Sequence, residues 1–75
     1  MKAYKMLIKV RTWNGKIEEF PLRPTNGDPY IFRSKRALLD CYAMLYHLLP
    51  FKDNANFEEI EVPEDFNNFC VYGSD

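Results

Sequence analysis

The run MLIKVRTWNGKIEEFPL, Met6 to Leu22, decides the fold, because its apolar residues recur at the strand period and a turn signal sits at its centre. Tyr4, Met6, Ile8 and Val10 point to one face, and Lys5, Leu7, Lys9 and Arg11 to the other. Asn14-Gly15 marks a hairpin. A two-residue loop would set Ile8 opposite Pro21 and Val10 opposite Glu19, burying a proline and a carboxylate. A three-residue loop, Trp13-Asn14-Gly15, with Gly15 in the left-handed conformation of a bulge, sets Met6 against Leu22, Ile8 against Phe20 and Lys9 against Glu19. A one-residue slip exchanges the two faces, so burial selects the bulged form.

Downstream, RPTNGDPY (Arg23 to Tyr30) is continuous turn chemistry. Tyr30-Ile31-Phe32 reads as a short strand, Ser34 as the N-cap of a helix from Lys35 to about Leu49, and Pro50 as its stop. FKDNAN reads as a linker. FEEIEVP follows as a strand with Ile60 and Val62 inward and Glu59 and Glu61 outward, and NNFCVY as a further short strand. The expectation is one α+β domain over residues 1–75, with a helix packed across one face of a small mixed sheet in ββαβ(β) order. The hairpin resembles the opening hairpin of ubiquitin-like β-grasp proteins, carried by Met6, Ile8, Val10, Thr12, Gly15 and Lys16. The resemblance implies a β-grasp-like element order and no function. The end, VYGSD, lacks the paired terminal glycines of a conjugated modifier.

The composition, 47% hydrophobic with 16% aromatic, is that of a folded domain with an aromatic core. The net charge of -1 argues against a general nucleic-acid or membrane binder. Its distribution is uneven: residues 1–36 hold nine Lys/Arg and three acids, residues 37–75 only Lys52 and eight acids. Either the halves lie side by side and neutralise each other, or each offers a charged face to a partner. Two cysteines, Cys41 and Cys70, outside any C-x-x-C pair, fit free thiols in a reducing compartment, with a single bridge between them left open. No apolar run is long enough for a signal peptide or a membrane span. The expectation is a cytoplasmic protein without membrane contact.

The helix carries more apolar surface than one sheet needs. Its polar stripe is Arg36, Asp40, Ala43 and His47. Leu38, Cys41, Tyr42, Leu45 and Leu49 form the centre of the expected buried face, flanked by Ala37, Met44 and Leu48 on one side and Leu39 and Tyr46 on the other. The surplus can be covered by the segment bearing Phe66, Phe69, Val71 and Tyr72, by a second copy of the chain, or by another protein. In the last two cases Leu39, Met44 and Tyr46 belong to a partner-binding patch.

Trp13 at the hairpin tip, beside Arg11, has the composition of an interface hot spot; it can equally fold back onto Leu7 or Ile17. With Lys9, Arg33, Lys35 and Arg36, the same two residues make up a candidate nucleic-acid surface. The run Glu58, Glu59, Glu61, Glu64, Asp65 is either a mimic of a phosphate backbone or a solvated face pairing with Lys5, Lys9 and Arg11 across the sheet. His47 and Cys41 lie on opposite sides of the helix and make no nucleophile–base pair. Two cysteines and one histidine on separate elements do not compose a zinc site, and no phosphate loop or nucleophile elbow is present. No catalytic residue, metal or cofactor is expected. The reading is a small non-enzymatic domain that binds another protein as an accessory, regulatory or inhibitory factor, with self-association through the helix as a variant. Such economy suits a factor encoded by a virus or mobile element. The alternative is a nucleic-acid binder using the hairpin and the helix start.

Overall fold

The computed structural model describes residues 1–72. In chain order the elements are β1 (Lys2–Arg11), β2 (Ile17–Pro21), β3 (Ile31–Phe32), α1 (Lys35–Leu45), α2 (Phe51–Asn54) and β4 (Ala55–Glu61). The fold is α+β, a small four-stranded sheet with α1 packed on it.

The hairpin has the expected register. Ile8 pairs with Phe20 and Lys9 with Glu19, while the Leu22 amide donates to the Met6 carbonyl at 2.8 Å. The loop Trp13-Asn14-Gly15 is closed by Thr12 N–H to the Lys16 carbonyl, 2.7 Å, and Gly15 N–H to the Thr12 carbonyl, 3.0 Å. Gly15 has φ +83, which a Cβ disfavours. The Thr12 hydroxyl bonds the Asn14 side chain and braces the turn.

β2 and β3 lie end to end along one edge of β1. Leu7 pairs with Pro21, Met6 bonds Leu22, and Lys5 then pairs with Ile31 and Tyr4 with Phe32. Residues 23–30 are an excursion from that edge, shut by Tyr30 N–H to the Leu22 carbonyl at 3.0 Å. Within it Gly27 N–H reaches the Pro24 carbonyl at 3.3 Å. A Cβ on Gly27 would stand 2.6 Å from Pro24 Cγ, so the turn admits only glycine without rearrangement.

β4 takes the other edge, from Ile8 opposite Ala55 to Lys2 opposite Glu61. Every pairing is antiparallel, which corrects the expectation of a mixed sheet. The cause lies between the helix and β4. α1 ends at Leu45 rather than Leu49, with Tyr46 N–H still bonding the Tyr42 carbonyl at 2.8 Å. Pro50 disfavours helical backbone at Leu49. The chain leaves through a turn, Leu49 N–H to the Tyr46 carbonyl at 3.0 Å, with Leu48 left-handed at φ 73. FKDNAN is therefore no linker: Phe51–Asn54 is a helical turn, and Ala55 already begins β4 beside Ile8. From there the strand can only run back along β1.

This register also corrects the facing of β4. Ala55, Phe57, Glu59 and Glu61 lie opposite Ile8, Met6, Tyr4 and Lys2 on the helix side, and Ile60 opposite Ala3 on the other. NNFCVY forms no strand among the described residues, although Cys70 N–H donates to the Ile31 carbonyl at 2.7 Å and lays the segment along the free side of β3.

Ser34 caps α1, its hydroxyl accepting from Ala37 N–H at 3.1 Å. The helix turns Ala37, Leu38, Cys41 and Tyr42 onto Met6, Phe32 and Ala55, and these seven are the buried core. Leu45 and Leu49, expected at its centre, are exposed. Ending the helix early and reversing the chain at Leu48 carries Leu49 off the buried stripe, and Leu45 is the last residue of the helix. Among the described residues no helix is long and apolar enough to cross a membrane.

Candidate functional site

The fold leaves one end of its sheet bare. β1 has ten residues, about 33 Å of strand, whereas α1 has eleven, about 16 Å of helix. A helix half as long as the strand beneath it cannot cover the whole face. α1 and α2 cover Tyr4 to Ile8, and beyond Ile8 the hairpin continues as an uncovered arm of a molecule measuring 42 × 23 × 22 Å. Every residue of β2 is exposed.

On the arm's helix-side face stand Val10 and Phe20, the latter 49% exposed; on the opposite face Ile17 lies beside Arg11. At the tip Trp13 is 98% exposed and does not fold back onto Leu7 or Ile17. Lys9 is half-buried, its Nζ donating to the Lys52 carbonyl at 3.1 Å, and it faces Glu19. Arg11 and Lys16 are exposed near the tip. The arm thus carries Val10 and Phe20 with Glu18 on one face, Ile17 among Lys9, Arg11 and Glu19 on the other, and an indole at its tip.

The remaining basic candidates lie elsewhere. Phe32, just before Arg33, pairs with Tyr4, and Trp13 is nine residue steps beyond Tyr4 along the hairpin, about 30 Å of extended chain. Arg33 stands over the Phe69 ring at 5.0 Å, Lys35 over Phe57 at 4.9 Å, and Arg36 is 3.9 Å from Asp40. Lys9, Arg11 and Trp13 therefore share one end, and Arg33, Lys35 and Arg36 another. The basic and acidic halves do meet: Lys5 pairs with Glu58, Lys2 with Glu61, and Lys2 Nζ is 3.7 Å from Glu59.

A second apolar patch lies at the end of α1. Met44 is 55% exposed, and Leu45, Leu48 and Leu49 are open with it, while Leu39 is exposed on the other flank of the helix. Tyr46 is half-buried, its ring stacked on Tyr42 at 5.0 Å. The C-terminal segment does not reach this patch. Its Phe66 and Phe69 pack on each other at 4.9 Å, and Tyr72 meets Tyr30 at 5.8 Å, on the β3 side. There it walls an open groove of about 620 Å³ with Lys5, Asp28, Tyr30 and Ile31. Burial raises the Tyr30 hydroxyl pKa, and Tyr72 and Cys70 add to the shift.

Among the described residues no three His, Cys, Asp or Glu side chains gather where they could hold a metal. His47 is exposed in the turn after α1. Sequence reasoning singled out Trp13 and Arg11 but missed Val10 and Phe20, which it counted as covered, and named Ile17 only as a place for Trp13 to fold back; the signal was the mismatch between strand and helix lengths. Compared with known proteins, the chain matches no family model, no curated protein and no solved structure.

Proposed function

We propose that the chain is a non-catalytic protein-binding domain, an accessory, regulatory or inhibitory factor, which engages its partner through the hairpin arm. The observation that carries this reading is Trp13, 98% exposed at the tip of an arm whose Val10, Ile17 and Phe20 are also uncovered. An indole left in water forgoes a large burial free energy, and Trp beside Arg is the side-chain pair most enriched where interfaces concentrate their affinity. The arm suits insertion into a groove: narrow, with Val10 and Phe20 on one face, Ile17 among charged side chains on the other, and Trp13 at its end. Met44 at the end of α1 belongs to a second contact surface, for the same partner or for another copy of the chain, and Leu39 lies exposed on the other flank of the helix.

The test is affinity capture from native extract at low and high salt, with wild type, Trp13→Ala and Met44→Glu in parallel. A protein partner that survives high salt and is lost with Trp13→Ala supports the arm; loss with Met44→Glu alone moves the site to the helix. The expected cost of Trp13→Ala is about 2 kcal/mol or more, roughly 30-fold in Kd. Nucleic acid captured at low salt and released at high salt sinks the reading and promotes Lys9, Arg11 and Lys16, because phosphate contacts weaken steeply with salt.

A further inference from the structure

We propose that Cys41 and Cys70 are a disulfide-forming pair, through which oxidation latches residues 66–72 onto the helix. The two are distant in sequence, and separate devices bring them together. α1 turns Cys41 into the core, where it is fully buried. The bond from Cys70 N–H to the Ile31 carbonyl, 2.7 Å, pins the C-terminal segment to β3, and the Cys70 side chain packs against the same cluster that holds Cys41. Both are free thiols in this structure. Burial pushes the Cys41 thiol up to about 11, and the adjacent Cys70 thiol adds to the shift. A solitary buried cysteine is only a small apolar side chain. Here a second cysteine packs against the cluster that holds the buried one, and it is half-buried, within reach of a reagent from solvent.

The chemistry follows from that difference in access. The Cys70 thiolate attacks one sulfur of a low-molecular-weight disulfide such as oxidised glutathione, forming a mixed disulfide and releasing one thiol. The Cys41 sulfur attacks the Cys70 sulfur, the Cys70–glutathione bond breaks, and the Cys41 proton passes to the departing thiolate, closing the protein disulfide and releasing the second thiol. One small disulfide is reduced to two thiols, and the protein dithiol is oxidised by two electrons. The bond would close a loop of about 30 residues. It would also hold in place Phe69, which lies under Arg33, and Tyr72, which meets Tyr30. Oxidation therefore fixes the aromatic wall of the groove, and reduction releases it.

The full chain is equilibrated with graded ratios of reduced and oxidised glutathione, then alkylated and weighed by mass spectrometry, with thermal melting and chymotrypsin digestion on the same samples. The expected result is a monomer lighter by two hydrogens with neither cysteine alkylated. Its Tm should be higher by about 10 °C or more, and cleavage after Phe66 or Phe69 slower by about ten-fold or more. Cys70→Ser should abolish all three responses, and Cys41→Ala should stall at a glutathione adduct on Cys70. A wild-type chain that also stalls at that adduct, that links to a second chain, or that closes with unchanged cleavage would overturn the latch.

Discussion

The two ends of β1 belong to different regimes. At Ala3 and Met6 the strand is sealed, flanked by β3 and β4 and, at Met6, covered by the helix; at Val10 and Arg11 the same strand keeps only β2 as a neighbour and is open to water. Both ends alternate apolar and polar residues. The pattern is therefore equally good at both, and coverage by the helices, with β3 and β4 as flanking strands, decides which apolar residues become core. A side chain such as Phe20 has the chemistry of Phe32 and none of its burial. One end stabilises the molecule, and the other is left available for contact.

The sharpest way to break this comparison is to truncate both phenylalanines. Phe32→Ala should destabilise the fold by about 3–5 kcal/mol. A 75-residue domain has a total stability of only about 4–11 kcal/mol, so the loss takes a large share of it and should lower the urea midpoint steeply. Phe20→Ala should cost less than about 1 kcal/mol. Urea titrations of the two variants measure the difference; equal losses would mean that the arm is part of the core.

A smaller effect belongs to the start of the helix. Ser34→Ala removes the hydroxyl that accepts from Ala37 N–H and should cost about 1 kcal/mol, read as a lower urea midpoint at unchanged m-value. At the other end the sign reverses. Leu48 holds a left-handed backbone, φ 73, with its side chain 87% exposed. Leu48→Gly relieves that strain at the expense of some chain entropy and should stabilise by about 0.5 kcal/mol. A loss on thermal melting would show that the leucine side chain contributes packing at that turn.

The smallest expected change is the most discriminating. Trp13→Ala should leave stability within about 0.5 kcal/mol of wild type and, if the arm is the docking element, take binding away. Indole fluorescence checks the structural half directly, since Trp13 is the only tryptophan. Emission should be that of a solvated indole in the free protein, quenched readily by iodide, and should shift to shorter wavelength when the partner binds.

Much of the body was legible because its determinants are short-range. Alternation from Tyr4 to Val10, the Asn14-Gly15 turn and the exclusion of a proline from the place opposite Ile8 sufficed for the hairpin's register, whereas a carboxylate, Glu18, still stands opposite Val10 on the open arm. Ser34 marked the helix start, since a cap acts within one turn. The helix end was misread because Pro50 announces a stop without saying how many residues before it the chain turns away, and a left-handed leucine has no sequence signature. The charge pairing was legible as a neighbourhood and not as a register: acidic β4 does lie against basic β1, but through Lys2 and Lys5 rather than Lys9 and Arg11.

By itself, then, the sequence determined the elements held by neighbours a few residues away: the bulged hairpin, the turn-rich excursion, the helix cap and the α+β class. Only the tertiary structure decided the direction of β4, the bareness of the arm and the meeting of Cys41 with Cys70. Each of these depends on where the chain is after it has travelled the length of α1 and turned. A helix that stops four residues short redirects everything that follows, and no local pattern at Phe20, Ala55 or Cys70 registers that the path has changed.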